Sequence, residues 1–222
     1  MNPTTRLLLE LLALRVPEPG RAWAAALSDA GAAARFTADF AAATRRAGQA
    51  PLAFDAAARD RLRAAGVDWS LEAWGVDDLA RVAMLCHAAD RLPSGALTAL
   101  VEDANAHGDT DERRAVLLAL PLLPDGARFV PLAVDACRTN VRPLFEAIAC
   151  DNPFAARHFP EAAFNQLVLK AIFLDVPLAR VVGLGGRRGA ELRRMASDYA
   201  QERRSAGRAV SADLAGLAEE GR

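Results

Sequence analysis

The sequence predicts an all-α fold, and three observations carry that prediction. Alanine and leucine dominate while β-branched residues are sparse, so helix propensity is high in almost every window. Apolar residues recur at three- and four-residue spacing. Proline, glycine or a short polar residue then ends each run after roughly 12 to 16 residues. No stretch alternates as a strand would, and no βαβ order appears.

The elements follow from local signals. Asn2 caps a first helix with Pro3 in its opening turn, and Leu7, Leu8, Leu11, Leu12 and Leu14 form its apolar face. A second helix is expected from about Arg21 to Ala30, stopping near Gly31, and a third from about Ala32 to Ala47, stopping at Gly48. Pro51 to Phe54 reads as a loop. Asp55 then caps Ala56 to Ala65, which Gly66 terminates. Trp69 and Trp74 flank a turn, after which Asp77 opens a helix to about Arg91 with Leu79, Val82, Ala83, Leu85 and Cys86 inward.

Pro93 breaks the chain before Ser94 to Ala106, and Gly108 stops that helix. Asp109 and Glu112 form a capping box. That helix runs into Pro121 and Pro124, and another begins near Asp125. Asn140 is expected to cap a helix through Cys150 whose stripe is Val141, Leu144, Phe145 and Ile148. After the break at Asp151-Asn152-Pro153, Pro160 starts a helix with Phe164, Leu167, Val168, Ala171 and Ile172 facing the core. Pro177 and the glycines Gly183, Gly185, Gly186 and Gly189 interrupt again. A final helix is predicted from about Arg188 to Ala206, with Arg187–Glu191 and Arg194–Asp198 as one-turn ion pairs, followed by a flexible tail over 208–222. Helix pairs joined by short turns read as an irregular HEAT-like array.

The chain has 222 residues, is 52% hydrophobic and carries a formal net charge of -1. Such a chain suits a single all-helical domain, read here as a variable half over 1–108 and a core over 109–207. Neutrality argues against nucleic acid as a partner, because that needs a surplus of Lys and Arg against phosphate. Cys86, Cys137 and Cys150 are odd in number and far apart, as reduced cytosolic thiols are. Glu10 interrupts the apolar Leu7 to Leu14 run, so no leader is expected there, and no run is long enough to span a membrane. The expected location is the cytoplasm.

Against a background of residues that GC-rich codons supply, 139–207 keeps other types. It holds the only lysine, Lys170, the only tyrosine, Tyr199, both isoleucines, Ile148 and Ile172, and the asparagines Asn140, Asn152 and Asn165. Its phenylalanines and isoleucines fall on core stripes. The polar remainder asks for a chemical reason. Lys170 can act as a base, a Schiff-base amine or a point charge for an anion, or it can form a structural ion pair with Glu146, Asp151, Asp175 or Asp198. Glu146, Asp151, Asn152 and His158 can do acid and base work, yet Asp-Asn-Pro is also an ordinary helix stop. Their spacing matches no metal motif, and no metal or other cofactor is expected. The glycines between Gly183 and Gly189 have the wrong spacing for a dinucleotide loop and follow no strand. The arginine-rich last helix reads as a solvated, salt-bridged face.

Several runs in this segment carry a resemblance. They are Thr139-Asn140, the run from Phe145 through Asp151-Asn152-Pro153-Phe154 to Pro160, Phe164-Asn165-Gln166-Leu167-Val168-Leu169-Lys170-Ala171, and Met195-Ala196-Ser197-Asp198-Tyr199-Ala200-Gln201-Glu202-Arg203-Arg204. Together they resemble the EboA-domain family. The resemblance implies a bacterial protein from an ebo gene cluster that assists assembly or export of a secondary metabolite. Such clusters typically also carry a UbiA-type prenyltransferase, a TatD-type metal hydrolase and sugar-isomerase-like barrels. It brings no catalytic residues with it. The expected function is an accessory binding protein whose partners are a small metabolite or other proteins of the cluster. The alternatives are an enzyme of the same pathway using Lys170 with a nearby carboxylate, and a scaffold for the other proteins. The candidate ligand-binding set is Glu146, Asp151, Asn152, Arg157, His158, Asn165, Lys170, Asp198, Tyr199 and Arg203.

Overall fold

The computed structural model describes residues 1–18, 20–29 and 32–219, and of residues 32–34 the backbone alone. The expected helix stop at Gly31 lies outside them. Among the described residues there are α-helices and short 3-10 turns but no strands, as the sequence predicted. The chain divides into two compact units, 1–147 and 148–222. The first holds α1 (Pro3–Ala13), α2 (Arg21–Ala26), α3 (Ala32–Ala47), α4 (Ala56–Ala64), α5 (Val76–Ala89), α6 (Ser94–His107), α7 (Thr110–Ala119) and α8 (Val130–Arg138). The helix α9 (Arg142–Ala149) carries the chain across the division. The second holds α10 (Phe154–His158), α11 (Glu161–Phe173), α12 (Ala190–Ser205) and α13 (Ala212–Glu219).

The first unit is organised around α5, which packs against α1, α3, α6 and α7. Every residue from Val76 to Ala88 is buried. A helix apolar on nearly all sides has no stable place except inside, and Leu79, Ala80, Val82, Ala83 and Leu85 supply that surface. Its buried acids and its arginine have partners, whereas neither ring nitrogen of the buried His87 has one among the described residues. Arg81, 1% exposed, donates to Asp77 Oδ2 at 3.1 Å, to the Phe40 carbonyl at 3.1 Å and to Thr44 Oγ1 at 3.0 Å. Thr44 in turn donates to Asp77 Oδ2 at 2.8 Å. The guanidinium also lies 5.7 Å from the Phe40 ring centroid. This network ties the last turns of α3 to the first turn of α5.

The caps at Asn2, Asp55 and Asp109 acted where the sequence placed them, whereas Asn140 does not cap α9, which starts two residues later at Arg142. Asn2 Oδ1 accepts from the Thr4 amide at 2.9 Å, Asp55 Oδ1 from Ala58 at 2.7 Å, and the Asp109–Glu112 box closes with bonds of 2.9 and 2.8 Å. The three cysteines are buried and form no disulfide. Some expectations need correcting. Leu14 follows the end of α1 and is 74% exposed instead of lying on its apolar face. Val141 is 40% exposed, because α9 begins one residue later and Thr139 Oγ1 holds the Val141 amide in a turn. Phe173 is 67% exposed at the end of α11 and belongs to no core stripe. Residues 212–219, expected in a tail, form α13 against α12, with Leu214 and Leu217 buried. Ser211 Oγ accepts the Leu214 amide, and Asp213 Oδ2 accepts the Leu178 amide at 2.9 Å.

Candidate functional site

The second unit opens on the Asp-Asn-Pro break. Asp151 takes a left-handed conformation, φ 52°, which Asp tolerates better than most residues. That turn points its amide at the Arg180 carbonyl, 2.7 Å away, while its carboxylate receives Arg180 Nε at 2.9 Å. Arg180 and Asp151 therefore bind each other through both backbone and side chain. Asn152, buried, accepts the Phe154 amide at 2.9 Å and so opens the short helix α10. Phe154, fully buried, lies 4.8 Å from the His158 ring and meets Phe159 edge-on at 6.3 Å.

The glycine-rich segment turns out to be the partner of this corner. Arg187 sits in a 3-10 turn (Leu184–Arg187) before α12 starts, not on the helix face. From there it donates to the carbonyls of Ala155 (2.9 Å), Ala156 (3.2 Å) and Phe159 (2.7 Å). These are carbonyls at the C-terminal end of α10: that of Ala155 also accepts the Phe159 amide at 3.0 Å, while those of Ala156 and Phe159 lie beyond the last helical bond, where a cation suits. The same guanidinium lies 4.3 Å from the Phe164 ring centroid. Gly183, at φ 75°, lets the chain pass close enough, since a Cβ there would come within 2.5 Å of the Ala156 Cβ. The predicted Arg187–Glu191 pair is accordingly not made. Glu191 instead receives Arg194 at 2.7 and 2.9 Å, and Arg194 also holds Asp198 at 2.7 Å as expected.

The predicted residues are distributed as follows. Tyr199 and Arg203 are joined, with Arg203 Nη1 3.2 Å from the Tyr199 hydroxyl and its guanidinium 5.7 Å from the ring centroid. Asp151 and Asp198 are engaged by arginines outside the predicted set, Arg180 and Arg194. Glu146 lies in the first unit, where Arg142 Nε reaches it at 2.6 Å. Lys170 and His158 are half-buried, and Arg157 is exposed. Asn165 is 1% exposed, and neither atom of its amide has a hydrogen-bond partner among the described residues. An unsatisfied amide at that depth is unusual in a folded protein.

Sequence reasoning missed Arg180, Arg187 and Asp213, each of which satisfies backbone groups of a distant segment. Among the described residues no group of three or more His, Cys, Asp or Glu side chains is placed to hold a metal ion, and no helix is long and apolar enough to cross a membrane. A cleft of about 240 Å³ opens in the first unit, between α4 and the following loop.

The geometry defines an all-helical protein whose most distinctive segment is a packed corner, held by arginines that bind carbonyls and carboxylates. Residues 4–219 match the family described as metabolite traffic protein EboA, and the chain belongs to that family. No curated protein and no solved structure matches it.

Proposed function

We propose that this chain is an accessory binding protein in the biosynthesis or export of a secondary metabolite, holding a small molecule without transforming it. The match to the metabolite traffic family over residues 4–219 carries this reading. The geometry adds a reason to prefer carriage over catalysis. The carboxylates nearest the Lys170 hypothesis, Asp151 and Glu146, are each drawn into an ion pair with an arginine, which favours a structural role for them.

In this reading His158, Asn165, Lys170, Tyr199 and Arg203, with Arg157, supply polar contacts to cargo or to a partner protein, while Asp151 and Asn152 fix the corner that carries His158. Consecutive helices that pack together, α6 with α7 and α12 with α13, support an irregular HEAT-like array. The protein works in the cytoplasm. The test is to incubate the purified chain with a metabolite extract of a producing bacterium, reisolate it and identify what it retains by mass spectrometry. Carriage predicts one retained compound of unchanged mass. Conversion of an extract compound by the pure chain would overturn the reading in favour of an enzyme.

A further inference from the structure

Helix α11 carries one group that its surroundings leave unanswered. Asn165 shares a helix face with Val168 and Ile172, both buried, and is itself 1% exposed. Neither Oδ1 nor Nδ2 has a hydrogen-bond partner among the described residues, not even the backbone carbonyl one turn back, to which a polar side chain within a helix can turn. A leucine has the same branched shape, a better helix propensity and no polar atom to satisfy. The amide therefore costs stability in the protein as it stands, and a bound group that pairs with it would recover that cost.

The corner beside it supplies a way in. The segment 183–189 crosses the first turn of α11: Arg187 lies 4.3 Å from the Phe164 ring centroid, and a Cβ on Gly189 would come within 3.1 Å of Glu161 Oε1. Phe164 immediately precedes Asn165, and Glu161 lies one turn before it on the same face. The segment is fastened by the buried Leu184 and by the bonds of Arg187 to the end of α10. Between these anchors Gly185 and Gly186 are exposed, and a Cβ on either would meet nothing within 4 Å. A strap held in this way opens locally at less cost than unfolding the whole domain.

The amide itself selects the ligand. It offers an acceptor and a donor side by side, so it pairs edge to edge with a group that carries both, a carboxamide or a lactam. A carboxylate would leave Oδ1 unanswered and bring a charge into an apolar interior. A neutral edge needs no free charge beside it, and Arg187 is already committed to carbonyls. We propose that Asn165 binds the lactam or carboxamide edge of an otherwise apolar small molecule, which enters as 183–189 lifts from α11. The proposal rests on the carrier reading and deepens it by naming the chemistry of the cargo.

The experiment titrates the isotope-labelled full chain with δ-valerolactam and with its N-methyl derivative, which lacks the N–H, following the Asn165 side-chain amide by NMR. The lactam is expected to shift that resonance and to bind about fivefold more tightly than the N-methyl compound. Asn165→Leu is expected to abolish this preference and to raise Tm by roughly 2–6 °C, because it removes an unsatisfied amide. Arg187→Met, which loosens the strap, is expected to bind the lactam about fivefold more tightly than the wild type. The proposal is overturned if the lactam gives no shift at tens of millimolar, if the two compounds bind equally, or if Arg187→Met binds no more tightly. It is overturned too if Asn165→Leu is the less stable chain, since the amide then serves the fold by holding an internal water. A host compound retained equally by Asn165→Leu would overturn the site and leave the carrier reading standing. Lactam binding at Asn165, with nothing retained from the host extract, would support the site and count against the carrier reading.

Discussion

Replacing Arg187 by Met tests the account of the corner most sharply, because it keeps the aliphatic stem and removes only the guanidinium. Three hydrogen bonds to the carbonyls of Ala155, Ala156 and Phe159 are lost, together with the contact over Phe164. A hydrogen bond from a charged donor contributes about 1.5–3 kcal/mol net. Three bonds from one group are not additive, and Arg187 is only half-buried. We therefore expect a loss of about 2–4 kcal/mol, most of it from the Ala156 and Phe159 carbonyls left without a donor, since that of Ala155 keeps the Phe159 amide. For a chain of this size 1 kcal/mol corresponds to about 2–4 °C, so Tm should fall by roughly 4–16 °C. Thermal unfolding followed by far-UV circular dichroism measures this, with hydrogen exchange of the α10 amides to localise it. A variant within about 0.5 kcal/mol of the wild type, or a loss of protection spread evenly over the chain, would refute the clamp.

Gly183→Ala combines a left-handed backbone with a 2.5 Å clash and should cost about 1–3 kcal/mol, whereas Gly185→Ala, with nothing within 4 Å, should be near neutral; paired urea melts decide. Asp77→Ala leaves Arg81 charged and buried, so about 3–5 kcal/mol should be lost, and the double change Asp77→Ala with Arg81→Met should recover part of it in the same assay. His87 is buried, and burial first, then the Arg91 charge, lowers its pKa from 6.5. The unfolded chain therefore takes up the proton first, so stability is full above 6.5 and falls as the pH drops below it. His87→Leu should flatten that slope in urea midpoints compared at pH 7.5 and 5.5. Cys86, also buried, has its thiol pushed up to about 12 by burial and by Asp90, and should resist iodoacetamide in the native protein but react on unfolding.

Local chemistry was legible in the sequence, and long-range partnership was not. The caps at Asn2, Asp55 and Asp109 involve residues two or three apart, so the pattern itself states the bond. The Arg81 network joins α5 to Phe40 and Thr44, about forty positions away, and no spacing rule reaches that far. The same holds for the corner. Arg187 looked like the first half of a one-turn pair with Glu191, but α12 starts at Ala190, and an arginine outside the helix is not on its face. The glycines around it read as an interruption, although Gly183 is what allows contact with Ala156. The last helix was missed because α13 is short and contains Gly216. Its order comes from Leu214 and Leu217 packing and from the Asp213 bond to Leu178.

The claim that this member of the metabolite traffic family carries a small molecule is met most directly by native mass spectrometry of the chain purified gently from its own host. The account predicts the 23.6 kDa protein with one small adduct, released unchanged on denaturation and identical in mass to a compound of the producing cells. A bare protein, or one associated only with other proteins, would contradict it.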